Sequence, residues 1–201
     1  MLTEDFLGPE AAEIQKSMER VLLHIEELRS SRKTLLHRDP VEYCKHRLKS
    51  YESIHDKLLK NGLPVTKEEA LANLHDIAGI RIVCTFVDDV YSIVKELESW
   101  DACSIDKKKD YISKPKPNGY RSCHIVLSFA SENQLPIYVE IQIRTIAMDC
   151  WASLEHQLKY KKEIQNSKII VQELKRCADE LASADLTLET LRELIADGIQ
   201  E

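Results

Sequence analysis

The 201 residues include only five glycines and six prolines. That scarcity excludes collagen-like and low-complexity character. No apolar run approaches the ~20 residues a helix needs to cross a bilayer. The opening MLTEDFLGPEAAE is acidic and has no basic stretch followed by an apolar one, so no secretory signal is read there. Cys44, Cys84, Cys103, Cys123, Cys150 and Cys177 are never closer than nineteen positions. No CxxC pair or zinc-ribbon spacing exists, and the six read as free thiols of a reducing cytosol. Neither GxGxxG nor a P-loop occurs, which removes two common nucleotide folds.

What is present is a globular chain, 43% hydrophobic and 31% charged, long enough for one domain with a real core. Its net charge of −6 is unevenly spread. Residues 45–60 and 107–121 carry eleven Lys and Arg against three acids, a local +8, so the remaining 170 residues sum to −14. Segregation of that kind points to a specific anion site in a repelling body.

Residues 10–30 read as an amphipathic helix, with Ala11, Ile14, Met18, Val21, Ile25 and Leu28 in 3-4 spacing. The far end carries a heptad seam of Ile170, Leu174, Cys177, Leu181, Ala184, Leu188, Leu191 and Ile195. That seam suits packing on the chain's own body and a second subunit equally well. Between them, 79–86, 122–129 and 136–145 are short, β-branched and bounded by turn residues, hence strands. A helix over 88–100 separates the first two. The six residues ASENQL between the last two fit an antiparallel hairpin. A further helix is expected over 146–162. The fold class is α/β or α+β: a mixed sheet flanked by helices, with helical extensions at both ends. The expected layout is one domain over 1–201, with an N-terminal helical segment 1–38, a core 39–162 and a C-terminal helical segment 163–201.

Three features carry chemistry. In KHRLKSYESIHDKLLKNG, read as one helix, Lys49, Ser53, Lys57 and Lys60 fall on one face, with Arg47 just before it. Such a row repels itself unless an anion screens it, so a polyphosphate site competes with a merely solvated face. In KKKDYISKPKPNGYRSCH, a Pro-Lys-Pro-Asn-Gly turn bears Lys114, Lys116 and Arg121 beside Tyr111 and Tyr120. A cationic loop with aromatics can stack a base and hold its phosphates, although Asn-Gly before a strand is also an ordinary turn. In PIYVEIQIRT, alternation puts Tyr138, Glu140, Gln142 and Arg144 opposite an apolar face. Glu140, with Asp76 at the entry of the first strand, makes the carboxylate pair that Mg²⁺-dependent phosphoryl chemistry requires. The dipeptide His75-Asp76 has no companion histidines at ligand spacing and is read as coincidental.

Together, RLKSYESIHDK, HDIAGIRIVCTFVDDVYSI, KDYISKPKPNGYRSCH and VEIQIRTIAMDCWASLEH closely resemble the RelA/SpoT synthetase domain. The chain's length resembles the stand-alone small alarmone synthetases of bacteria. The resemblance implies a nucleotidyltransferase-like fold, a cytoplasmic enzyme, and transfer of pyrophosphate from ATP to the 3′-hydroxyl of GTP or GDP. It implies that Arg47, Lys49, Lys57 and Lys60 bind the ATP phosphates and that Arg81 lies by the adenine. Asp76 would coordinate Mg²⁺, and Glu140 would help hold it and activate the 3′-hydroxyl. Tyr120 would stack on guanine, while Lys116, Asn118, His124 and Gln142 would contact the acceptor.

Two other functions compete. Toxic relatives modify the 3′ end of tRNA, and Lys107, Lys108 and Lys109 could supply extra basic surface. Against this, the acidic remainder repels RNA. A non-catalytic helical regulator that binds nucleotides or RNA would make Asp76 and Glu140 incidental. The terminal heptads, with the family's habit, suggest a homotetramer.

Overall fold

The computed structural model describes residues 1–131, 135–159 and 167–198. Helices α1 (Thr3–Leu7) and α2 (Pro9–Leu36) open the chain. Pro9 sits in the first turn of α2, where its missing N–H breaks no helical bond. Five strands follow: β1 (Val41–Leu48), β2 (Ala78–Cys84), β3 (Ser104–Asp110), β4 (Cys123–Phe129) and β5 (Ile137–Thr145). They form one sheet in the order β1-β2-β5-β4-β3. β2 and β5 run parallel, and the other pairings are antiparallel. Helices α3 (Tyr51–Lys60) and α4 (Lys67–Asn73) link β1 to β2, and α5 (Val87–Glu98) links β2 to β3. After β5 come α6 (Ile146–Lys159) and α7 (Ser167–Gly198).

The mixed sheet with flanking helices is the expected architecture. β2, β4 and β5 fall where the β-branched runs put them, and β4 and β5 form the antiparallel hairpin. Within its connection, 132–134 lie outside the described residues, as do 160–162 of the expected helix and 163–166 and 199–201 of the C-terminal segment.

The first basic cluster requires a correction. Residues 45–60 are not one helix. Lys45 and Arg47 lie in β1, the chain turns at Lys49–Ser50, and α3 starts at Tyr51. The Ser50 hydroxyl caps it by accepting the Ser53 backbone N–H at 3.3 Å. Lys49 therefore shares no helical face with Lys57. A second unexpected strand, β3, carries Lys107–Lys109. Both are edge strands, where polar and Lys residues block further pairing and so erase the apolar alternation that marks a strand.

One face of the sheet is the core. Ile80, Ile82, Ile125, Leu127, Ile141 and Ile143 pack against α2 and α5. Each such side chain contributes roughly 1.5–3 kcal/mol by leaving water. A smaller cluster joins Trp151 of α6 to Leu174 and Ala178 of α7. Only the first half of the heptad seam packs on the chain itself: Ile170, Leu174 and Leu181 face Trp151, with Ala178 in place of Cys177. Beyond Asp185, Leu188, Leu191 and Ile195 stay exposed.

Asp185 is buried and accepts the Thr145 hydroxyl at 2.6 Å. Burial pushes its carboxyl above the usual range, and the Thr145 bond offsets part of that. A carboxyl raised in the folded state costs stability wherever both states are ionised, and costs nothing below its unfolded value. Asp185→Asn keeps an acceptor for Thr145 without the charge. The variant is expected to gain about 2–4 °C in Tm per kcal/mol released at pH 7. Calorimetry should find the gain gone below about pH 4; an equal gain at both pH values would exonerate the charge.

Candidate active site

The alternation that buries one side of β5 presents its polar residues on the open side, and cross-strand pairing extends them into two rows. The first is Arg47, Gly79, Glu140, Val126 and Lys107, running across β1, β2, β5, β4 and β3. The second is Lys45, Arg81, Gln142, His124 and Lys109. Gly79 has no side chain, so the floor between Arg47 and Glu140 is open. Lys108 points elsewhere and pairs with Glu98 at 2.5 Å.

Three lobes open on this face. One of about 310 Å³ is walled by Lys45, Arg47, Asp76 and Arg81. A second of about 250 Å³ lies against Lys57, His75, Asp76 and Lys107. The third, about 220 Å³, has Lys109, Tyr111, Lys116 and His124 on its wall. Glu140 borders all three.

Asp76 precedes β2. Its Oδ2 accepts from both Lys49 Nζ and Lys57 Nζ at 2.6 Å. The two ammonium groups thus converge through a shared carboxylate and not through helical spacing. Burial alone would raise the Asp76 carboxyl, but Lys49 and Lys57 more than offset it and hold it below the usual range. Its Oδ1 is buried with no hydrogen-bond partner. An orphaned carboxylate oxygen of that kind calls for a cation or donor from outside the chain.

Glu140 is likewise raised by burial and lowered further than that by His124 and Gln142, against repulsion from Asp76. His124 Nδ1 lies 3.3 Å from Glu140 Oε1, and Gln142 Nε2 donates to Glu140 Oε2 at 3.1 Å. His124 Nε2 lies 2.8 Å from the Tyr120 hydroxyl, which accepts from Arg144 Nη2 at 3.0 Å. Arg144 can only donate, so the Tyr120 oxygen accepts from it, and His124 bridges the Tyr120 hydroxyl and the Glu140 carboxylate through its two ring nitrogens.

Arg144 is the hub that sequence reasoning placed on this face and left without a role. It is 2% exposed and also donates to Gln142 Oε1 at 2.7 Å and to Asp149 Oδ1 at 3.2 Å. Asp149 of α6 also pairs with Arg81 at 3.3 Å and accepts the Tyr43 hydroxyl. Burial first, then Asp149, pushes that hydroxyl up to about 12. The signal for Arg144 was its place in the alternation; Tyr43 and Asp149 had none, because contacts 106 residues apart leave no local pattern.

Beside the third lobe, Lys116 Nζ lies 4.6 Å from the Tyr111 ring centre and 4.8 Å from that of Tyr120. Asn118 shapes the turn: its Oδ1 accepts the Tyr120 backbone N–H at 3.2 Å, and its Nδ2 reaches Glu155 of α6. Lys60, exposed in the last turn of α3, lines none of the three lobes. His75 stacks on Tyr138 with ring centres 3.8 Å apart and meets Asp106 at 3.0 Å. Among the described residues no three His, Cys, Asp or Glu side chains gather as a metal cluster. Asp76 and Glu140, two hard carboxylates beside a cationic cleft, are the residues that could hold a Mg²⁺.

Comparison with known proteins agrees with the geometry. Residues 46–165 match the family model described as the region found in RelA / SpoT proteins. The chain is 46% identical over 144 residues, 70% of its length and 69% of the relative's, to the GTP pyrophosphokinase YwaC of Bacillus subtilis. The solved small alarmone synthetase 1 of Bacillus subtilis, bound to its product pppGpp, superposes with a TM-score of 0.81 at 29% identity, covering 96% of this chain and 97% of that one. Small alarmone synthetase 2 of the same organism gives 0.78 at 35%, covering 92% and 96%. With the open sheet face, the paired carboxylates and these matches in hand, the chain belongs to the RelA/SpoT family.

Proposed function

We propose that this chain is a GTP pyrophosphokinase that moves the β,γ-pyrophosphate of ATP onto the ribose 3′-hydroxyl of GTP or GDP, releasing AMP and making the alarmone (p)ppGpp. The observation that carries the reading is Glu140 at the junction of three cation-lined lobes. A base at that junction can reach a hydroxyl from one lobe and a phosphate from another.

Arg47, Lys49 and Lys57 take the ATP phosphates, with Lys60 able to join from the end of α3. Arg81, beside Lys45 in the donor lobe, lies by the adenine. Tyr120 stacks on guanine, whose ring takes the place of the Lys116 ammonium. Asn118, His124 and Gln142 order that end, and Lys107 and Lys109 add positive charge beside it. Asp76 and Glu140 would hold Mg²⁺ with phosphate oxygens, and the ion would neutralise charge on the transferring group. The 3′-oxygen attacks the β-phosphorus, its proton passes to Glu140, and the bond from that phosphorus to the α–β bridging oxygen breaks. AMP leaves with that oxygen. Positioning and charge neutralisation do most of the work. The exposed Leu188, Leu191 and Ile195 of α7 support assembly as a homotetramer, and the bacterial cytoplasm is where the substrates and free thiols belong.

The test is incubation of the purified protein with labelled ATP and Mg²⁺ plus GTP, GDP or tRNA. Label is expected in a guanosine tetra- or pentaphosphate, with AMP released. Label in tRNA alone would replace this reading with the RNA-modifying one. Binding without AMP release would leave a regulator.

A further inference from the structure

The turn that carries Lys116 and Tyr120 is tied from behind to α7. Arg121 makes two bonds there. Its Nη1 donates to the Gly119 carbonyl at 3.1 Å, and its Nη2 donates to Asp179 Oδ1 on α7 at 2.8 Å. The Arg121 side chain is only 15% exposed, although it belongs to a cationic turn read as a ligand loop. Backbone and helix meet without slack. Gly119 has φ 92°, and a Cβ built on it would lie 2.6 Å from Ala178 Cβ and 3.0 Å from Lys175 Cα. The next residue, Tyr120, begins the hydrogen-bond chain that ends on Glu140. Neither Arg121 nor Asp179 lines any of the three lobes.

We infer that the Arg121–Asp179 pair is a positioning device for the acceptor nucleotide: it fixes the Gly119–Tyr120 backbone against α7 and thereby sets where Lys116 stands in the acceptor lobe and where Tyr120, just outside its wall, holds the lobe's His124. The inference rests on the proposed transfer reaction for its kinetic meaning. Asp179 also pairs with Lys175 on its own helix at 2.6 Å. Lys175 and Arg121 together hold the Asp179 carboxyl below its ordinary range. An ion pair whose carboxylate is 45% exposed adds little to global stability. A shift of about 1 Å in a substrate-positioning group, by contrast, can change rates up to about 10²-fold. The two effects therefore separate in an experiment.

Arg121→Ala, Asp179→Ala and the double variant are compared with wild type, with Lys175→Ala as a control that removes the other partner of Asp179. Each single variant is expected to raise the acceptor KM about tenfold, with the ATP KM changed less than about twofold. The double variant should be no worse than the singles, because both remove one interaction. Asp179→Glu should recover most of the loss, and Lys175→Ala should leave the acceptor KM unchanged. Equal effects on both substrates, additive losses, or an equal loss in Lys175→Ala would overturn the inference. Amide hydrogen exchange over 114–121 provides a readout without turnover. Exchange about tenfold faster in both single variants is expected, and wild-type protection would refute the tie. A wild-type chain that transfers nothing to GTP or GDP removes the proposed function, while exchange still decides the tie.

Discussion

Replacing Glu140 with Gln is expected to lower kcat by about 10³-fold or more, the scale of losing a positioned base together with a metal-directed charge. The new amide has the same shape, so the fold survives. Two donors, His124 N–H and Gln142 NH₂, converge on the native carboxylate. One of them would face the NH₂ of the new amide, a cost of about 1–3 kcal/mol. The measurement is therefore turnover beside Tm and ATP binding. A kcat near wild type in a folded variant would strip Glu140 of its role. The pH profile supplies a second reading. Burial raises Glu140 and Asp76, but His124 and Gln142 on one side and Lys49 and Lys57 on the other bring both below the usual carboxylate range. Groups depressed in the folded state contribute fully above their unfolded values, near pH 4, and the contribution is lost as pH falls through the folded ones. Activity in the free enzyme is thus expected to lack any limb from these carboxylates between pH 5 and 8, the window set by their downward shift.

Replacing Arg144 with Met should do more harm to the fold than any change at the cleft surface. Met matches much of the length but leaves Asp149, 6% exposed, facing Arg81 and Tyr43 alone. Removing one partner of a buried ion pair costs roughly 3–5 kcal/mol. For a domain of this size that is a fall in Tm of roughly 6–20 °C. Activity should fall further than stability explains, since Tyr120 and Gln142 both lose the donor that orders them. Adding Asp149→Asn removes a buried charge that has lost one of its two arginines and is expected to restore part of the Tm with little return of kcat. If the double variant regains both together, Arg144 is only structural.

The two halves of the sheet differ in how legible they were. β2, β4 and β5 are central, and their Ile, Val and Leu alternate or run unbroken because both neighbours and a helix layer cover them. β1 and β3 are edges. Tyr43, Lys45 and Arg47 do alternate along β1, yet their chemistry resembles that of a cationic helix, and Ser50–Lys60 really is one with its cap. β3 offers Ile105, Asp106 and then three lysines, which no period can sort. The carboxylates Asp76 and Glu140 stood out because strands fix which side a residue faces. The second layer of the site did not. The bonds from Tyr43 to Asp149 and from Arg121 to Asp179 join segments 106 and 58 residues apart, and only the packing of α6 and α7 decides them.

The strand order has a consequence for how such a site can change. Successive strands are about 4.8 Å apart, so the two edges stand roughly 19 Å from each other with Glu140 on the middle strand. Residues from β1 and β2 wall the lobe on one side, and residues from β3 and β4 wall the lobe on the other. The outermost residues, Lys45 of β1 and Lys109 of β3, can therefore exchange without touching the opposite edge, whereas Arg144 and the lobe shared by Asp76 and Lys107 couple the middle of the sheet. Under the proposed transfer, recognition of each nucleotide could then vary at its own edge of the sheet, while Glu140 on the middle strand stays common to both.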